Sequence, residues 1–222
     1  MFEKFDPSLK MEVFINDGAH VKPGDIAFVV EGPTRSLLQT ERTMLNIMQR
    51  MSGIATTTAK YQERLEGLHT KVLDTRKTTP GMRLLEKMAV KMGGGANHRI
   101  GLFDMILIKD NHVDFAGGIT NAVSRAKQWC KDNGKDLKIE VEVRNTPEIM
   151  EALEAGVDRI MLDNYTPERT AEAVALIREK NPNVEIESSG GITLDTLRAY
   201  GEAGVDFISV GALTHSVKGL DM

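Results

Sequence analysis

A single cysteine, Cys130, among 222 residues excludes an intramolecular disulfide and leaves no cysteine spacing for a metal centre, which suits a reducing compartment. Positive charge is not in excess. Lys and Arg number 28 against 32 Asp and Glu, a net charge of −4, so bulk binding to nucleic acid or to an anionic membrane surface has no support. No stretch approaches about 18 uninterrupted apolar residues, and the N-terminus lacks a basic start followed by an apolar core. Neither a membrane span nor a signal peptide is read, and a cytoplasmic protein is the expectation. The length suffices for one α/β domain with a small appendage.

Against this ordinary background, residues 71–112 stand out. Apolar strand-like segments there end in cations around a GGG turn: VLDTRK ends in Arg76 and Lys77, the turn leads to Asn97, His98 and Arg99, and MILIKDNH ends in Lys109, Asp110, Asn111 and His112. Several cations without an obvious partner in sequence imply a ligand carrying several negative charges. His112, at the start of the following polar segment, is read as a structural, helix-terminal histidine.

After residue 70 a unit repeats: a short apolar run, a turn, then an amphipathic helical pattern. The strand candidates are 71–75, 105–109, 138–143, 159–163, 184–188 and 207–211, near-continuously apolar as strands covered on both faces should be. Helical patterns lie between them, one opening on Pro80 and Gly81, another on Pro167 with Thr166 as N-cap. Repeated βα units favour a (β/α) barrel over an open doubly wound sheet. In a parallel barrel the strand ends converge, so Arg76, Lys77, Lys109, Asp110, Glu142, Asp163, Ser189, Gly190 and Gly211 would share one mouth. Acids facing cations there suit a polyanion held by side chains and a divalent metal.

Residues 1–35 differ. Two short strand candidates, 11–16 and 26–32, joined by a turn, read as half of a small β-rich unit, and a helical pattern from about Thr34 to Glu66, interrupted near Ser52 and Gly53, links it over residues 36–70 to a barrel at 71–222. Two strands are marginal alone, so they are expected to pack on a partner.

The blocks ERTMLNIMQRMSGIAT, DTRKTTPGMR, GGGANHRIGLFDMILIKDNH, EVEV, LDN, ESSGGI and VGALTHS, in that order, resemble the quinolinate phosphoribosyltransferase family, type II phosphoribosyltransferases of NAD biosynthesis. The resemblance covers nearly everything from about residue 12 onward. It implies transfer of phosphoribose from phosphoribosyl pyrophosphate to quinolinate with decarboxylation, giving nicotinate mononucleotide, pyrophosphate and CO2. The family's substrate pocket matches Arg42, Thr75, Arg76, Lys77, His98, Arg99 and Lys109, enough donors for paired carboxylate contacts. Glu142 and Asp163 match positions that meet ribose hydroxyls and Mg2+, and with Lys77 and Lys109 they form the implied catalytic set. Ser189, Gly190, Gly191 and Gly211 are candidates to cradle the 5′-phosphate, with His215 as a further donor.

Glu140 competes with Glu142 for the inward position, since alternation permits either register, and Glu142 is chosen on its place in the family block. The resemblance also implies a head-to-tail homodimer in which Arg42 reaches the neighbouring pocket. Family members usually begin some tens of residues earlier, completing an α/β sandwich before the barrel, and continue slightly further, so the resemblance implies that residues 1–35 are a partial N-terminal α/β sandwich domain. Alternatives are a related type II transferase acting on nicotinate or another carboxylated ring, an aldolase-like barrel with Lys77 or Lys109 as Schiff-base lysine, and a non-catalytic homologue.

Overall fold

A computed structural model describes residues 1–222. The chain opens with one helical turn, α1 (Phe2–Phe5), and an antiparallel hairpin of β1 (Lys10–Val13) and β2 (Phe28–Glu31). The hairpin leaves Met11, Val13 and Val29 exposed, as two strands without a covering layer must. Then comes the long helix α2 (Thr34–Arg64), continuous through Ser52 and Gly53. The expected interruption is absent for a packing reason. A Cβ on Gly53 would lie 2.1 Å from the Lys218 carbonyl oxygen, so this glycine lets the C-terminal segment cross the helix closely.

From there strands and helices alternate: β3 (Lys71–Leu73), α3 (Arg83–Met92), β4 (Ile106–Ile108), α4 (Asp110–Ala116), α5 (Ile119–Asp132), β5 (Ile139–Val143), α6 (Thr146–Ala155), β6 (Arg159–Asp163), α7 (Pro167–Lys180), β7 (Glu185–Ser189), α8 (Leu197–Glu202), β8 (Phe207–Ser209) and α9 (Ala212–His215). Local signals set several starts. Thr166 Oγ1 accepts the Arg169 N–H at 3.3 Å before α7, and Asn145 Oδ1 accepts the Glu148 N–H at 3.0 Å before α6, each followed by a proline in the first turn.

The six parallel strands run in the order β3-β8-β7-β6-β5-β4. The first strand thus pairs with the last and the rest follow in sequence, which is the order of a barrel and not of a doubly wound sheet. It is open between β3 and β4, where Ala96 makes one parallel bridge to Leu73.

The strands are not continuously apolar as expected; they alternate. Val141, Val143, Ile160, Leu162, Ile186 and Ile208 belong to the buried apolar cluster with the surrounding helices. Each such side chain contributes about 1.5–3 kcal/mol by leaving water. The register sets Glu140 beside Arg159, Arg159 beside Glu185, Glu142 beside Met161 and Met161 beside Glu187, so these residues share the opposite, inner face. A polar interior requires its own pairing, and that pairing shapes the site above it.

Candidate active site at the C-terminal mouth of the barrel

Arg76 and Lys77 leave the end of β3 on a loop fixed from below. The Lys77 carbonyl accepts Thr214 Oγ1–H at 2.7 Å, the Thr79 N–H donates to Glu86 at 3.2 Å, and Arg83 Nε donates to Thr78 Oγ1 at 3.1 Å. Thr75 Oγ1 accepts the Lys77 N–H at 3.1 Å. Glu86 is fully buried on α3 and is itself held by Arg50 of α2 at 2.6 Å.

The second cationic loop, 97–99, fills the gap between β3 and β4. Buried Asp74, at the end of β3, pairs with buried Lys87 of α3 and accepts the His98 N–H at 2.9 Å, while Lys87 donates to the His98 carbonyl at 2.9 Å. Asn97 Nδ2 donates to Asp74 and to the Lys87 carbonyl. Backbone amide and carbonyl of His98 are thereby both fixed. Arg99 follows, its pKa lowered by burial and then by the neighbouring Arg76 guanidinium. Arg76, Lys77 and Arg99 form no ion pair, whereas Arg50, Arg144, Arg159, Arg178 and Arg198 each have a carboxylate. Two guanidinium groups that repel one another, with no carboxylate in salt-bridge contact, describe a candidate anion site.

Acids stand across from them. Glu142 of β5 lies 3.7 Å from Lys109 Nζ, and its pKa is raised by burial and then by the Asp163 carboxylate at the end of β6. The backbone N–H of Lys109 donates to His112 Nδ1 at 3.1 Å, so His112 caps the start of α4 as a structural histidine. Beside Asp163, Asn164 adopts a positive φ of 56° and its N–H donates to the Ser189 carbonyl at 2.8 Å. A Cβ on Gly190 would fall 2.3 Å from Asn164 Oδ1; Gly191, at φ 60°, faces open space. Gly211 admits His215 and Lys77: a Cβ there would meet the His215 ring at 3.1 Å and Lys77 Cδ at 3.6 Å.

Strand alternation does not separate Glu140 from Glu142. Two residues apart on β5, both face inward and differ in depth, Glu142 opening to the mouth and Glu140 fully buried below it. At this floor His98 Nε2 lies 3.0 Å from Glu140 Oε2 and 3.5 Å from Glu187 Oε2, while Arg159 Nη1 meets Glu187 at 3.1 Å and Nη2 meets Glu185 at 2.8 Å. Burial raises the pKa of Glu140 to about 7 and, with the Glu140 charge adding to it, that of Glu187 to about 8. Burial lowers that of His98. The ligand atoms of His98, Glu140 and Glu187 lie within 4.8 Å of one another, close enough for a metal. The histidine argues against one. Its Nδ1 accepts the Arg99 N–H at 2.7 Å, so the neutral ring carries its proton on Nε2, the atom a metal would need.

The structure therefore brings together Arg76 with Arg99, Lys109 with Glu142 and Asp163, Ser189 and Gly190 with the end of β6, and Lys77 with Gly211 and His215. Arg42 is not among them; it is exposed on the first half of α2, with no ion pair or hydrogen bond to these residues. Sequence reasoning missed Asp74, Lys87, Arg159 and Glu187. The available signal was Glu at alternate positions in IEVEV and EIES, between helices that must cover the β-branched face.

Fold and mouth define a class: a parallel α/β barrel with a polyanion site built on its strand ends. The sequence profile described as quinolinate phosphoribosyl transferase, C-terminal domain, matches residues 54–222, and the profile of the N-terminal domain matches residues 1–52. The chain belongs to the quinolinate phosphoribosyltransferase family. It is 45% identical over its whole length to quinolinate phosphoribosyltransferase [decarboxylating] 1b of Nicotiana tabacum, spanning 66% of that protein. It is 43% identical to a probable nicotinate-nucleotide pyrophosphorylase [carboxylating] of Bacillus subtilis, spanning 74% of it. The crystal structure of NadC from Streptococcus pyogenes superposes with a TM-score of 0.91 at 41% identity, covering 99% of this chain and 76% of that one.

Proposed function

We propose that the chain transfers the phosphoribosyl group of phosphoribosyl pyrophosphate to quinolinate and then decarboxylates the product to nicotinate mononucleotide. The observation that carries this reading is the set of unpaired cations, Arg76, Lys77 and Arg99, opposite the Glu142–Asp163 acid pair at one mouth. Arg76, Arg99 and Lys109 take the two carboxylates of quinolinate, with Thr75 beside them; His98, expected from the sequence as a further substrate donor, is instead buried with Nδ1 on the Arg99 N–H and Nε2 toward Glu140, and supports the pocket from below. Ser189, Gly190, Gly191, Gly211 and His215 receive the 5′-phosphate, and the open space beside Gly191 supports that placement.

Glu142 and Asp163 fit a hard cation: their donors are oxygens, and the Glu142 pKa is raised by burial first and by the Asp163 charge second, both of which a bound cation would offset. Glu142 and Asp163 would hold Mg2+, which when bound would supply positive charge to offset that of pyrophosphate. The protein's own part is orientation. Lys77 and Lys109 draw the anionic substrates together, Arg76 and Arg99 hold the ring nitrogen against ribose C1, and the C1–O bond breaks with its electron pair leaving on pyrophosphate. The ring nitrogen, now quaternary, stabilises the carbanion left as the adjacent carboxylate departs as CO2, and a proton takes its place. No covalent enzyme intermediate is required, so Lys77 and Lys109 need no Schiff base.

Arg42 makes no hydrogen bond or ion pair with the mouth residues within one subunit. We assign it to the pocket of a second copy in a homodimer, and the exposed Leu102 and Phe103, 74% and 71% accessible beside the cationic loop, support an apolar contact there. No helix is long and apolar enough to cross a membrane. A cytoplasmic location is proposed on the single, unpaired cysteine.

The test is formation of nicotinate mononucleotide from quinolinate, phosphoribosyl pyrophosphate and Mg2+, with nicotinate as the competing acceptor. Product from quinolinate is the expected result. Product from nicotinate alone would assign the mouth to a monocarboxylate.

A further inference from the structure

We infer that Glu140 and Glu187, on the floor of the barrel, are positioning residues for the acceptor pocket: they hold His98 as its Nε2–H tautomer and, through it, aim Arg99 at the mouth. This rests on the reading of the mouth as a dicarboxylate site. His98 is constrained at each of its polar atoms. Its N–H is taken by Asp74, its carbonyl by Lys87, and its Nδ1 receives the Arg99 N–H at 2.7 Å. Only Nε2 remains, pointing down toward Glu140 at 3.0 Å and Glu187 at 3.5 Å.

The two acids depend on that ring unequally. Glu187 is held by Arg159, whereas Glu140 forms no ion pair except with His98, and both Glu140 oxygens are buried without an aligned partner. A buried carboxyl group left this way weakens the fold unless it does something else. Its geometric effect is on the ring. If the ring turned over, Nδ1 would leave the Arg99 N–H, the amide would lose its acceptor, and the guanidinium carried by that residue would lose its fixed origin. Glu140 makes the flipped ring unfavourable, because a carbon edge would then replace the Nε2 donor that faces it at 3.0 Å. Glu187, between Arg159 and the ring, fixes where Glu140 can lie.

A second role for the same cluster, as a metal centre, would require Nε2 to lose its proton, which the Arg99 N–H on Nδ1 opposes. The two roles make opposite statements about one atom, and that atom can be observed.

The experiment has two arms, run on the full chain. In the first, 15N NMR of the wild-type protein reads the His98 tautomer at neutral pH. A neutral ring protonated at Nε2 is expected; an imidazolium or an Nδ1–H ring overturns the inference. In the second, titration calorimetry measures quinolinate and phosphoribosyl pyrophosphate binding to wild type, Glu140→Gln and Glu140→Leu. Gln retains an acceptor for Nε2–H and is expected to bind quinolinate nearly as wild type does. Leu is expected to weaken quinolinate about tenfold, equivalent to about 1.4 kcal/mol, with phosphoribosyl pyrophosphate affinity unchanged and thermal stability equal or higher. Equal losses for both ligands, or a loss that follows a fall in stability, would make Glu140 merely structural and overturn the inference. Should the Leu variant fail to fold, the tautomer decides alone. Failure of wild type to bind quinolinate at all defeats the reading of the mouth and is recognised before any variant is compared.

Discussion

The floor and the mouth of the barrel are built from the same side chains, Arg, Lys, Glu and Asp, and differ in how their charges are answered. On the floor Arg159 meets Glu185 at 2.8 Å and Glu187 at 3.1 Å, with the Phe207 ring 4.3 Å from its guanidinium carbon. Above it, Arg76 and Arg99 form no salt bridge and repel each other, with Glu140 and Asp104 acting on Arg99 only at longer range. Charges that answer one another belong to the fold, and charges left unanswered belong to a ligand. The difference follows from depth. A buried cation without a partner would cost several kcal/mol, whereas one at a water-filled mouth is solvated until its ligand arrives.

The comparison is broken most severely by removing the floor cation. Arg159→Met leaves Glu187 and Glu140 buried without their guanidinium neighbour, a loss of about 3–5 kcal/mol for a broken buried pair. The melting temperature of the variant should fall by about 10 °C. An unchanged melting temperature would mean that water reaches the floor and that the contrast with the mouth is false.

Acidity probes the same floor more gently. The Glu187 pKa stands at about 8 in the folded chain, raised from the ordinary 4.5 by burial first and by Glu140 second. The folded state therefore keeps a proton that the unfolded state has released. The associated stability is complete below the unfolded value and is lost as pH rises through about 8, with a slope of at most about 1.4 kcal/mol per pH unit for one proton. His98, whose folded pKa is lowered, is neutral in both states above the ordinary 6.5 and does not confuse the trend there. Denaturant melts between about pH 7 and pH 9 should show stability declining, and Glu187→Gln should flatten the decline. A rise over this window would reverse the sign and place the proton elsewhere.

The mouth was more legible in the sequence than the floor, and the reason is range. The N-cap at Thr166 acts over three residues, and its hydroxyl meets Arg169 as its position suggests. The six strand segments were legible because β-branched runs between helical patterns have few other uses. Cations at strand ends converge by the geometry of any parallel barrel, so their neighbourhood needed no knowledge of packing. The floor needed it. Lys87 reads as one more lysine on an amphipathic helix until α3 is laid against β3 and its ammonium meets Asp74. Gly53 reads as a helix break because the Lys218 backbone that demands it is remote in sequence. Glu140 and Glu142 read as alternatives, although residues two apart on a strand must share a face; only their depth differs, and depth is a property of the assembled barrel.

The mildest intervention falls at the mouth, and it should separate binding from stability. Arg99→Ala removes a guanidinium that forms no salt bridge, and the lost repulsion from Arg76 is set against lost longer-range attraction to Glu140 and Asp104, so the two largely offset. Surface-like behaviour, a change within about 0.5 kcal/mol in either direction, is expected in a denaturant melt. Quinolinate affinity should nevertheless fall much further than that for phosphoribosyl pyrophosphate, because the role proposed for the lost group is with the ring carboxylates and the proposed phosphate cradle lies at the ends of β7 and β8. Salt sharpens the distinction. The Arg76–Arg99 repulsion is partly screened at about 0.1 M ionic strength, where the screening length is about 10 Å, so any stabilisation of the variant should shrink on adding salt while its binding defect persists. A variant that is both unstable and indifferent to quinolinate would place Arg99 with the floor and erase the boundary between charges the fold consumes and charges it holds for a substrate.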